Sequence, residues 1–79
     1  MDRIVFDYSK LKGRIVEILD NQSNYAKLLN LSETSITNKL NNKVDFSQTE
    51  IFKSIKILNI DLKEINAYFF TPKVEKSKL

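Results

Sequence analysis

The run Gln22-Ser23-Asn24-Tyr25-Ala26-Lys27-Leu28-Leu29-Asn30-Leu31-Ser32-Glu33-Thr34-Ser35-Ile36-Thr37-Asn38-Lys39-Leu40-Asn41-Asn42-Lys43 decides the fold. It reads as two short helices around a break at Asn30-Leu31-Ser32. Asn21 is a candidate N-cap for the first, whose apolar positions are Tyr25, Ala26, Leu28 and Leu29. Asn30 is suited to stop it, because Asn tolerates the left-handed conformation that a helix exit often needs. Ser32 is a good N-cap for the second helix, which carries Ile36 and Leu40 at i and i+4 and runs out in the polar turn Asn41-Asn42-Lys43. A tight corner needs a small residue where the helices cross and a branched apolar residue facing it. Ala26 and Ile36, ten residues apart, supply both. So short a break permits only a sharp turn, which predicts a helix-turn-helix with its second helix over about 33–41.

The helical pattern continues on both sides. Leu11, Ile15, Ile18 and Leu19 mark one face of a helix over about Ser9–Asp20. Gly13 lies inside it, at a cost of roughly 1 kcal/mol relative to Ala, either as a tolerated surface residue or as a point of close helix approach. Downstream, Ser47-Gln48-Thr49-Glu50 fits a capping box and opens a helix carrying Ile51, Phe52, Ile55 and Leu58. Asp61-Leu62-Lys63-Glu64 repeats the device and opens a last helix with Leu62, Ile65, Tyr68 and Phe69 inward and Ile60 as the preceding staple. Thr71-Pro72 stops it, since the residue before proline is pushed out of the α region. The expectation is an all-α, compact five-helix bundle: one domain over 1–70 and a flexible charged tail over 71–79.

Composition agrees and excludes much else. Seventy-nine residues, 42 % hydrophobic and 29 % charged, with one Gly and one Pro, make a small globular domain too poor in turn-formers for a sandwich or barrel. With no Cys and no His, disulfides, Cys/His zinc sites, thiol chemistry and His-based triads are excluded. No apolar run approaches the length that crosses a membrane, and Met1-Asp2-Arg3 leads into no signal-peptide core. The net charge is +3, of which Lys73, Lys76, Lys78 and Glu75 contribute +2, so the body carries only +1. Charge alone therefore does not select a polyanionic partner.

The quoted stretches resemble the Cro/repressor-like helix-turn-helix superfamily of small phage and prophage regulators. Phe6-Asp7-Tyr8-Ser9-Lys10-Leu11-Lys12-Gly13-Arg14-Ile15 looks like the opening of a Cro-like phage subfamily, and Tyr25–Ile36 is similar to the superfamily's central motif. Lys39-Leu40-Asn41-Asn42-Lys43 resembles its exit, usually an Asn-Gly-Lys turn. Asn30 and Asn42 stand where Gly is common, and Lys39 where an apolar residue is common. The resemblance implies a lambda-repressor-like DNA-binding domain, a transcription regulator in a genetic switch in the cytoplasm of a bacterial host, without cofactor or metal.

On that reading the second helix of the motif enters the major groove of a double-stranded operator. Ile36 and Leu40 face the core, leaving Glu33, Thr34, Thr37 and Asn38 on the opposite face and Ser35 at its edge as candidate base contacts. Asn38 can hold adenine through N6 and N7. Glu33 can accept from cytosine N4, but it equally suits a first helical turn. Phosphate contacts are expected from Gln22, at a helix start, and from Asn42 and Lys43 in the exit turn. Tyr68, Phe69 and Phe70 cannot all face one core, because neighbouring helical residues are about 100° apart. They are the candidate seam of a weak homodimer or of a contact with another protein. No carboxylate pair sits in a catalytic motif, so an enzyme is not expected. The serious alternative is a modulator of repression that binds a partner phage repressor and changes its DNA binding; Glu33 and the +1 body favour it.

Overall fold

A computed structural model describes residues 4–73, and five α-helices account for most of them. They are α1 (Ser9–Leu19), α2 (Gln22–Leu29), α3 (Glu33–Leu40), α4 (Gln48–Ile57) and α5 (Ile65–Phe69). A 3-10 turn, Leu62–Glu64, leads into α5. Among the described residues there is no strand, only an isolated antiparallel bridge between Phe6 and Pro72.

Three of the helix exits use the same device. Asn30, Asn42 and Asn59 adopt the left-handed conformation, with φ of 61°, 65° and 54°. In each case the next residue's N–H reaches back five residues: Leu31 to the Ala26 carbonyl, Lys43 to Asn38 and Ile60 to Ile55, at 2.8–2.9 Å. These are Schellman closures, and Asn makes them without glycine because its φ penalty is small. The starts are equally explicit. Asn21, Ser32 and Ser47 each accept an N–H three residues on, and Ser47 with Glu50 completes the capping box.

The core is the inner face of all five helices. Leu11 and Ile15 of α1, Tyr25, Ala26 and Leu29 of α2, and Ile36 and Leu40 of α3 are buried. Ile55, Leu58, Ile60, Tyr68 and Phe69 close it from the other side. Ala26 and Ile36 are both buried where α2 packs on α3, as their spacing requires.

Four of the apolar residues read on the helices are exposed: Ile18, Leu28, Phe52 and Leu62, the last of them expected inward. The first three lie beside an inward residue, and helices this short bury only a narrow stripe against their neighbours. The last helix also differs from expectation. Asp61 accepts from the Lys63 N–H, two residues on, and the Glu64 N–H bonds the Asp61 carbonyl, so the chain winds as 3-10 before α5 begins. Leu62 consequently points to solvent. Gly13 meets no atom that a Cβ would touch, which settles it as a surface glycine.

The boundary expected after residue 70 cuts through a paired segment. The Asp7 N–H donates to the Thr71 carbonyl and the Lys73 N–H to the Val5 carbonyl, both at 2.8 Å. Residues 71–73 are thus part of the domain, because Pro72 ends α5 in an extended conformation that lies beside the entering chain. The rest of the expected tail, 74–79, lies outside the described residues.

Candidate functional site

The α2–α3 corner presents the side chains expected to contact DNA, but in different conditions of freedom. Thr34 and Thr37 are exposed on α3, Gln22 is exposed as the first residue of α2, and Lys43 is exposed after the exit turn. Ser35 and Asn38 are half-buried, and Ser35 accepts a hydrogen bond from the Ser32 hydroxyl at 3.1 Å. Glu33 is exposed, and its carboxylate accepts from the Ser23 hydroxyl at 2.9 Å, tying the start of α3 to α2.

Asn42 is not available to a phosphate. Its side-chain oxygen accepts the Phe6 N–H at 2.8 Å and its amide donates to the Phe6 carbonyl at 2.9 Å. One side chain here does what a neighbouring strand would do, satisfying both backbone groups of a residue 36 positions away. Two cations are committed as well. Lys39 is buried, pairs with Glu50 at 3.1 Å and donates to the Asp45 carbonyl at 3.0 Å. Arg14 donates to the Leu58 and Asn59 carbonyls at 2.9 and 3.1 Å and pairs with Glu17. Burial works to raise the Glu50 pKa, but the Ser47 N–H, Lys39 and the Ser47 hydroxyl outweigh it and hold the carboxyl below its usual value.

The aromatic end of α5 is also redistributed. Tyr68 and Phe69 are buried, 8 % and 2 % exposed, and so are not an interface; Phe69 continues the inward series from Ile65, and the Lys10 ammonium lies 5.0 Å over the Tyr68 ring. Only Phe70 remains on the surface, 45 % exposed, with its ring edge-on to Phe6 at 6.0 Å. It forms one wall of a shallow apolar groove between α4 and α5. Gln48, Ile51, Phe52, Ile55 and Ile65 complete the lining. Of these, Phe52 is read from the sequence only as one of the apolar residues the helix carries. The missed signal is the width of the apolar stripe on α4: Ile51, Phe52, Ile55, Ile57 and Leu58 span more of the helix than one core contact can bury. Among the described residues, no cluster of His, Cys, Asp or Glu could hold a metal ion, and no helix is long and apolar enough to cross a membrane.

Residues 4–72 match the family described as "Protein of unknown function (DUF739)". No curated protein matches the chain. Among solved structures, the chain is similar to the solution structure of the modulator of repression (MOR) of the temperate bacteriophage TP901-1 from Lactococcus lactis. The identity is 40 % and the TM-score 0.74, over 89 % of this chain and 95 % of that one. With 4–72 matched and a relative of that identity aligned along nearly its whole length, the chain belongs to the DUF739 family.

Proposed function

We propose that this chain is a modulator of phage repression, one that docks on a partner repressor and alters its operator binding without catalysis and without reading the operator itself. The observation that carries the reading is the 40 % identity to MOR over 89 % of the chain. The cations support it. Of the three groups expected to hold phosphate, Asn42 is tied to Phe6, and two further cations, Lys39 and Arg14, are held in internal bonds. Glu33 adds a negative charge at the start of α3, where a groove-reading helix meets polyanion. In this reading α2 and α3 keep a helix-turn-helix of the Cro/repressor-like kind as scaffold, and the site of action is the bacterial cytoplasm, where the repressor works.

The test is a gel shift of the regulatory region beside the gene, with the chain, the neighbouring repressor, and both together. The chain alone is expected to leave the DNA unshifted, and its addition to change the repressor's shift. A specific shift by the chain alone overturns the reading. It would favour operator binding instead, for which the exposed Gln22, Thr34, Thr37 and Lys43 are the supporting observation.

A further inference from the structure

We infer that the groove between α4 and α5 is the docking surface for the partner repressor, and that it receives an amphipathic helix whose apolar ridge is flanked by carboxylates. This rests on the proposed function and adds to it the surface and the chemistry of the partner.

The groove is built to take apolar side chains. Buried Ile55 forms its floor, half-buried Ile51 and Ile65 its slopes, and the exposed rings of Phe52 and Phe70 its walls. Both rings have a neighbour in contact: Phe70 meets Phe6 edge-on, and the Lys56 ammonium lies 5.0 Å from the Phe52 centroid. Two large aromatics held apart over an aliphatic floor suit a helix laid lengthwise between two helices. They also supply the side-chain type that dominates binding energy at interfaces.

Charge selects the occupant. The exposed side of α4 carries Lys53 and Lys56 and no free carboxylate, since Glu50 is bound to Lys39 and Ser47. On the 3-10 turn that leads into α5, Lys63 is offset by its neighbour Glu64. The Phe52 edge is therefore the positive one and asks for acid from whatever crosses it. A second copy docked symmetrically through Phe52 would set Lys53 and Lys56 against themselves. The chain's own 74–79, with Lys76 and Lys78 against Glu75, carries the wrong sign.

Binding of the purified repressor is measured by calorimetry against wild type, Phe52→Ser, Lys53→Glu/Lys56→Glu and, as a control, Leu28→Ser, which alters an equally exposed aliphatic on α2. Circular dichroism of each variant confirms folding. The expected result is at least about 30-fold weaker binding for Phe52→Ser, about 10-fold for the double charge reversal with a flatter salt dependence, and no change for Leu28→Ser. If wild type binds and all variants bind alike, the groove is wrong while the proposed function stands. If wild type binds no repressor, the proposed function fails first and the inference with it. If sedimentation shows wild type self-associating and Phe52→Ser monomeric, the occupant is a second copy and the inference is overturned.

Discussion

Ser54 has no exposed surface, and its hydroxyl donates to the Glu50 carbonyl at 2.7 Å while lying 2.6 Å from the Tyr25 hydroxyl. Its one proton is used on Glu50, so Tyr25 is the donor in the second bond. Burial, the largest influence on Tyr25, pushes its phenol up to about 12. Ser54→Ala strands that phenol in the core and is expected to cost about 1–3 kcal/mol in urea denaturation. Adding Tyr25→Phe should recover part of the loss, since both partners of the bond are then gone; a fully additive double mutant would show that the pair does not interact. Gly13→Ala runs the other way. With open space around the added methyl, it is expected to raise stability by about 0.5–1 kcal/mol, read as a higher thermal midpoint. At this scale the sequence is readable only locally. Asn30 as a helix stop follows from the intrinsic φ preference of Asn, whereas the bonds of Asn42 to Phe6 depend on a partner 36 residues away that no local pattern announces.

At the start of α4 the two kinds of information meet in one residue. The capping role of Glu50 is written in Ser47-Gln48-Thr49-Glu50; its ion pair with Lys39 is not, because it depends on how α3 and α4 come together. Both interactions favour the charged carboxylate, and the folded-state pKa lies below the unfolded one. The stability they supply is therefore full above the usual glutamate pKa of about 4.3 and is lost as pH falls through the folded value. Urea midpoints between pH 7 and pH 3 should fall for wild type more steeply than for Glu50→Gln. Equal slopes would mean that Glu50 has no pH-linked role. The α2–α3 corner was legible as a whole, since its caps, its break and the Ala26–Ile36 spacing all act within one stretch. The last helix was legible in position but not in form. Asp61 looks the same in sequence whether it caps the N–H two residues on or three, and that choice decides whether the chain starts as 3-10 or α.

For the molecule as a whole, the telling arrangement is the entering segment, held on one side by the Asn42 side chain and on the other by 71–73. It joins the exit of α3, the end of α5 and, through the Phe6–Phe70 contact, the wall of the groove. Asn42→Ala is expected to cost about 1–2 kcal/mol and to speed hydrogen exchange at Phe6, Asp7 and Lys73 before the helical core. Asn42→Asp should rescue little, because it accepts from the Phe6 N–H but offers no donor to the Phe6 carbonyl; full rescue would show that one bond suffices. The same arrangement places Val5 and Lys73 in direct backbone contact, 2.8 Å from donor to acceptor. The domain's entry and exit thus share a single doorway. A short linker there would make a circular permutant reopened at the exposed Val44–Asp45 loop, or let the whole unit be spliced into a surface loop of a host protein without stretching either.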